Sequence, residues 1–392
     1  MTVSQIIVEG KAGLIMQLAL VHDWLNQRGG AEDVLEVLVD MYPRSPIYTS
    51  IYYAEQMPDA YRNWDLRTLW IDEMPLIHQR HQPYLPLYPV AWGSKDLSQY
   101  DVVLSNKSGF CHGFQHDANT LHVCYCLTPT RYVWQLDAYL KREGFGSVVS
   151  TTIRPAIHLL RRWDFAATKR VHHFVAISTA IQQRIKKYYQ RDAHIIYPPV
   201  DTQRFKPAAK YDDYFLCVSR LIPYKRIDLA VQAATRIGAP LKVAGMGRAI
   251  DDLKAMAGPT VEFLGYVPDA ELNDLLARCK AFIFPGLEDF GIAPVQAMAA
   301  GRPVIAFGAG GALDTVLPGK TGELFPEQTV ESLAAAMQSL DAATYDPAIL
   351  RTHAERFDRR IFEREMQSFV EQAYEAFQRK QAFNWKRPTE QL

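Results

Sequence analysis

The stretch IFPGLEDFGIAPVQAMAAGRPVIAFGAGG, residues 283–311, decides the fold. A strand-like run from Ala281 to Phe284 ends in a turn, and an acidic pair, Glu288 and Asp289, follows. Phe290 and Gly291 then open a small-residue helix that carries Gln296, and RPVIAF starts a new strand. Strand, turn, helix and strand in succession form a βα unit, and such units build parallel sheets. Glu288 and Gln296 lie eight positions apart, so both reach one ligand from the N-terminal end of a helix starting near Gly291. The N–H groups and positive dipole at such an end suit phosphate. A carboxylate beside it pairs well with hydroxyl donors. Glu288 would also stabilise the helix start by about 0.3–1 kcal/mol, a structural role that leaves the chemical one open.

The same alternation runs in both directions from this stretch. YFLCVS, PLKVAG and TVEFLG precede it, each followed by a helical segment. Earlier still, MQLALV, PIYTSIY, DVVLS, TLHVCYC and HFVAIS read as strands, with helices at AEDVLEVLVDMY and at STAIQQRIKKYYQ, where Ser178 or Thr179 serves as N-cap. Residues 197–214, YPPVDTQRFKPAAKYDDY, break the pattern with three prolines and read as a linker. RRIFEREMQSFVEQAYEAFQ closes the chain as a long amphipathic helix. The expected architecture is α/β, with two doubly wound halves creating a cleft and ligands at the carboxyl ends of strands.

Bulk properties narrow the function. The chain has 392 residues, 48% hydrophobic and 22% charged, with a formal net charge of zero. No global attraction to nucleic acid follows from that balance. Five cysteines (Cys111, Cys124, Cys126, Cys217, Cys279) show no CxxC spacing and read as buried thiols of a reducing cytoplasm. GLIMQLALV is too short to span a bilayer, and HDW follows it in place of a cleavage site.

Three further strand ends carry candidate chemistry. In HDWLNQRGGAEDVLEVL, Gly29 and Gly30 precede a helix whose first turn offers N–H groups to an anion, or simply form a turn at positive φ. In VSRLIPYKRID, Arg220 and Lys225 converge across a proline turn, which suits a diphosphate or forms a solvated basic loop. In VAGMGRAIDDL, Gly245 and Gly247 suggest a dinucleotide, but Ile250 stands where the third glycine would be.

Together, HDWL…GGAE, YPPVD…RF, SRLIPYKRID, the 283–311 stretch and the terminal helix resemble glycosyltransferase family 4. Its members are retaining enzymes of the two-domain GT-B fold, and the similarity is greatest to bacterial O-antigen and exopolysaccharide mannosyltransferases. The resemblance implies an acceptor-binding Rossmann-like domain over 1–198 and a nucleotide-sugar domain over 199–365. Residues 366–392 would be a helix and tail crossing back to the first domain. It implies catalytic roles for Arg220, Lys225 and Glu288, the cations holding the donor diphosphate and the acid holding sugar hydroxyls. Asp289, Phe290, Gly291, Ile292, Gln296, Gly29, Gly30, Gly245 and Gly247 would bind donor. Asp23, Thr128 and Arg131 would bind acceptor. The expected reaction moves mannose from GDP-mannose to a lipid-linked or oligosaccharide acceptor, without cofactor or metal.

Two positions depart from the family pattern. Gln296 replaces the second glutamate that binds the ribose, and in CYCLTPTRYVWQ Leu127 stands where many relatives have histidine. The chain holds no Asp-x-Asp, so Arg220, Lys225 and helix N-termini would stabilise the leaving group. A UDP-sugar donor, an epimerase or phosphorylase on the same fold, and a non-catalytic scaffold remain as alternatives. Residues 153–174 carry Arg154, Arg161, Arg162, Lys169 and Arg170 beside a stripe of Ala156, Leu160, Trp163, Ala167 and Val171. That pattern fits a core-facing helix with a basic side, or peripheral docking on the inner face of an anionic membrane.

Overall fold

The computed structural model describes residues 8, 9, 15–136 and 147–388. The chain divides into two compact units: one runs to Tyr197 and resumes at Phe362, and the other is Pro198–Ile361. In the first unit, short strands β1 (Val8–Glu9) and β2 (Ile15–Met16) pair antiparallel. Seven more, β3 (Leu18–His22), β4 (Ile47–Thr49), β5 (Leu66–Thr68), β6 (Val102–Lys107), β7 (Leu121–Cys126), β8 (His173–Ala176) and β9 (Ala193–Ile195), form one parallel sheet. Its order is β5-β4-β3-β6-β7-β8-β9. In the second unit, β10 (Phe215–Val218), β11 (Leu241–Ala244), β12 (Val261–Gly265), β13 (Ala281–Phe284), β14 (Val304–Phe307) and β15 (Gly322–Phe325) form the other sheet. Here the order is β12-β11-β10-β13-β14-β15.

Both sheets are doubly wound. The chain moves outward from β3 to β5, then returns to place β6 on the other side of β3; β10 and β13 repeat this in the second unit. Such a switch point opens a crevice at the carboxyl ends of the two central strands. Those strands are buried on both faces, as in all of β3, β6 and β7, which explains their largely apolar starts.

The helix Thr179–Tyr189 takes Ser178 as its cap, with the Ser178 hydroxyl accepting from the Ile181 amide at 3.2 Å. The proline-rich 197–214 stretch is more than a tether. Val200 donates to the Phe357 carbonyl at 3.0 Å and accepts from the Arg359 amide at 2.9 Å, while Thr202 bonds the Asp358 carboxylate. It is therefore a structural part of the second unit. The final helix, Arg359–Gln378, continues into the first unit, where Phe362 packs edge-on against Tyr125. All five cysteines are buried and outside any disulfide.

The helix Ser147–Ala167 uses its apolar stripe internally. Leu160, Ala167 and Val171 are buried and Trp163 packs on the same core, whereas Ala156 is exposed and Ile157 takes its place inside. Two of the basic residues are also committed: Arg161 donates to the Val133 carbonyl at 2.7 Å, and Arg170 to that of Gly113 at 2.9 Å. Arg154, Arg162 and Lys169 remain on the surface. Among the described residues, no helix is long and apolar enough to cross a membrane.

Candidate functional site

Arg220, Lys225 and Glu288 all fall at the switch point of the second sheet, on the segments that follow β10 and β13. Lys225 Nζ lies 2.7 Å from Glu288 Oε1, with the side chains 20% and 13% exposed. Beyond this contact, Glu288 Oε1 is buried with no other partner among the described residues. A buried carboxylate oxygen with unused acceptor capacity calls for a donor from outside the protein. Arg220 is exposed on the same rim.

Neighbouring loops fix this pair. Gln328 donates to the Pro285 carbonyl at 2.8 Å, and Gly311 donates to the Glu288 carbonyl at 2.9 Å. Gly291 begins the helix Ile292–Ala299 at φ +95°, and a Cβ there would come 2.8 Å from the Phe284 ring. Only glycine meets both demands. Gln296 sits half-buried on that helix, and its side chain has no hydrogen-bond partner among the described residues. Ile292 and Asp289 frame the turn, the latter buried. The Phe290 ring is withdrawn into the unit and packs edge-on against Phe357. Only its main chain remains available at the turn.

Gly245 and Gly247 have a packing reason that the spacing argument missed. A Cβ on Gly245 would stand 1.8 Å from the Ser219 carbonyl oxygen, and one on Gly247 would stand 2.3 Å from that of Leu221. The loop after β11 thus lies directly on the loop that carries Arg220, joined by the Leu221 amide to the Met246 carbonyl at 2.9 Å. These glycines position a cation; direct contact with donor is not required to explain them.

In the first unit the switch point is already filled by the protein's own carboxylate. Asp23, fully buried just after β3, accepts from the amides of Ser108 (2.6 Å), Gly109 (2.5 Å) and Cys111 (2.8 Å). It clasps the loop after β6, which corrects its assignment as an acceptor contact. Gly29 caps and Gly30 opens the helix Gly30–Met41, but neither has positive φ; Gly29 is extended at −170°. The turn reading of these glycines therefore fails, and close approach of another molecule remains a reason for them. The first turn already carries Glu32 and Asp33 against the dipole. His22 links this helix to β6: its Nε2 lies 3.3 Å from Glu32 Oε1, and its Nδ1 lies 3.2 Å from the Asn106 amide nitrogen.

Thr128 is buried and Arg131 half-buried at the head of a short helix, Arg131–Trp134. Beneath them lies a network that no motif signalled. Lys107 and Asp164 are fully buried and meet through Thr130, far apart in sequence and on different elements. Nothing in a strand-like VVLSNK announces a buried lysine.

With this geometry in place, the comparisons become specific. Residues 199–352 match the family model described as "Glycosyl transferases group 1". That segment is similar to group 1 glycosyl transferases. The chain is 34% identical over 173 residues to a GDP-mannose-dependent alpha-(1-6)-phosphatidylinositol monomannoside mannosyltransferase of Mycobacterium tuberculosis, covering 36% of this chain and 45% of the relative. It is 30% identical over 258 residues to a GDP-mannose-dependent alpha-mannosyltransferase of Mycolicibacterium smegmatis, covering 62% and 65%. The chain thus spans about half to two thirds of the length of these relatives. Among solved structures, HepE of Anabaena, crystallised with UDP, superposes with TM-score 0.68 at 17% identity, covering 91% of this chain and 100% of that one. The last likeness shows the fold, GT-B, in agreement with the two parallel sheets. The matched group 1 segment contains Arg220, Lys225, Glu288 and Gln296.

Proposed function

We propose that the chain is a retaining glycosyltransferase that moves mannose from GDP-mannose to a lipid-linked or oligosaccharide acceptor, acting in the cytoplasm on cell-surface polysaccharide. The observation that carries this reading is the Lys225–Glu288 pair at the switch point, with Glu288 Oε1 buried and Lys225 its one partner among the described residues. In the reaction, Lys225 and Arg220 hold the diphosphate and stabilise the charge that develops as the sugar bond breaks. Glu288 accepts from hydroxyls of the donor sugar, and Gln296 bonds the ribose. The departing phosphate oxygen takes the acceptor proton on the same face of the sugar, so Leu127 costs the reaction no base. The mannosyltransferase relatives named above support mannose over other hexoses.

A thermal-shift screen of GDP, UDP and ADP with their sugars tests the donor, since only a ligand that binds the folded state raises its melting point. Selective stabilisation by GDP and GDP-mannose is expected; selective stabilisation by UDP-glucose would replace the donor assignment. Arg220 and Lys225 would take the role that a divalent ion plays elsewhere, so the transfer is proposed to be metal-independent. Turnover should continue in EDTA, and loss that Mg²⁺ or Mn²⁺ restores would refute this. Contact with anionic membrane is kept in the proposal on the surface cations Arg154, Arg162 and Lys169. Flotation with anionic liposomes at low salt is its test, and absence of co-migration removes it.

A further inference from the structure

A strand end, a loop and a helix converge on one hydroxyl at the carboxyl edge of the first sheet. Lys107, the last residue of β6, donates from Nζ to Thr130 Oγ1 at 3.1 Å and to the Thr128 carbonyl at 3.3 Å. Thr130 Oγ1 lies 2.6 Å from the Gly109 carbonyl oxygen and 2.8 Å from Asp164 Oδ1. A hydroxyl has a single proton to give, and the carboxylate is the stronger acceptor. Asp164 Oδ2 accepts from the Trp134 indole at 2.7 Å, and His112 Nε2 stands 3.6 Å from Oδ1. Lys107, Thr130 and Asp164 are all fully buried, and the ammonium lies 5.4 Å from the centre of the Tyr189 ring. Gly109 is in turn held by Asp23.

Burying an ammonium and a carboxylate is expensive and adds stability only when both are well paired. Apolar residues of similar size would fill the same space at less cost. The arrangement instead fixes the direction of specific groups: the Thr128 carbonyl, the start of the Arg131–Trp134 helix, and the Gly109 loop. We propose that Thr130, bridged between Lys107 and Asp164, is a positioning residue that sets the Leu127–Arg131 loop for the acceptor. This rests on the glycosyltransferase reading above, with Thr128 and Arg131 on the acceptor side. The bridge acts through the loop; Thr130 itself is enclosed and touches no substrate.

Two nearly isosteric variants of the full chain separate positioning from bulk stability. Thr130→Val removes the hydroxyl, and Thr130→Ser keeps it. Transfer of labelled mannose from GDP-mannose to octyl α-mannoside is followed beside hydrolysis of the same donor to free mannose. Amide hydrogen exchange over residues 127–134 is measured on the same samples. Thr130→Val should lower kcat/KM for the glycoside by about 10²-fold, the scale of misplacing a reacting group by about an ångström. Donor KM and hydrolysis should stay within about twofold of wild type, and exchange over 127–134 should rise. Thr130→Ser should restore transfer and protection. The positioning role is overturned if Thr130→Val keeps wild-type protection of the loop, or if donor and acceptor parameters fall together. If no nucleotide sugar stabilises or is hydrolysed by the wild-type chain, the glycosyltransferase reading fails instead, and the exchange result still reports on the bridge.

Discussion

Lys225 and Glu288 partly neutralise each other across 2.7 Å, so the proposed diphosphate would compete with Glu288 for the ammonium. Replacing Lys225 by alanine removes that attraction and leaves Glu288 as an uncompensated charge beside the phosphates. We expect Lys225→Ala to lower kcat/KM by about 10²–10³-fold, the scale of one lost charge stabiliser, and Arg220→Ala to do the same with the fold intact. More than half of wild-type activity in both variants, measured in steady-state kinetics, would contradict the assignment. Gln296 poses a finer question. Its amide can accept from one ribose hydroxyl while donating to the other, so its pairing survives the loss of charge. Gln296→Glu should shift donor affinity by no more than about 1–2 kcal/mol, whereas Gln296→Ala should weaken it further. An unchanged donor KM and kcat in Gln296→Ala would remove Gln296 from the ribose site. Their places just past a strand or on the helix that follows were readable because that position is a local signal. Asp23 was misread for the opposite reason: its role depends on three amides more than 80 positions away.

At the scale of elements, one loop holds another. The β11 loop can lie on the Arg220 loop only because Gly245 has no side chain, its Cβ position being 1.8 Å from the Ser219 oxygen. Gly245→Ala must push the Arg220 loop away, at about 1–3 kcal/mol for overpacking. A lowered urea midpoint together with weaker protection by donor is expected; loss of stability with unchanged donor affinity would show that the loop's position is immaterial to binding. The sequence pattern located the central strands and both long helices but not β5, β9 or β15. Each is an edge strand of three or four residues. β5 presents Arg67 and Thr68 to solvent, so it lacks the apolar run that marks a buried strand. Such strands exist because a neighbour offers its hydrogen bonds, and that is not encoded in their own residues.

At the scale of the molecule, the chain's end is seated on histidines. His172 packs on Phe377, His173 on Phe369 and Phe383, and His194 on Phe369, Phe383 and Trp385. Gln372 bonds both main-chain groups of Lys386, and Arg387 pairs with Glu365 at 3.2 Å, which folds the tail back on its helix. Burial lowers His172 and His173 to about 4, helped by their histidine neighbours and by Arg191, and burial with Arg387 lowers His194. The folded state therefore keeps these rings neutral while the unfolded chain protonates near the ordinary histidine value. Stability is full above about pH 6.5 and is lost as the pH falls from there towards about 4, where the folded rings also protonate. Trp385 sits beside His194 and reports on the seat directly. Trypsin cleavage near Arg379 should accelerate across that window, in step with a change in tryptophan emission. A tail equally protected at pH 7.5 and 4.5 would show that the histidines do not hold it. His173→Phe should flatten the dependence.

By itself, the sequence determined the α/β class, the two doubly wound halves and the positions of Arg220, Lys225, Glu288 and Gln296. Each of these rests on short-range information: apolar runs of strand length, helical periodicity, and charged groups placed just past a strand. Tertiary structure alone decided which groups meet. It paired Lys225 with Glu288, spent Asp23 inside the first switch point, turned the 153–174 stripe towards the core, and enclosed Lys107 with Asp164 around Thr130. The physical reason is that burial and partnership of a charge are set by neighbours brought from distant positions. A lone lysine or aspartate carries the same formal charge whether it faces solvent, a substrate phosphate or another loop of its own chain.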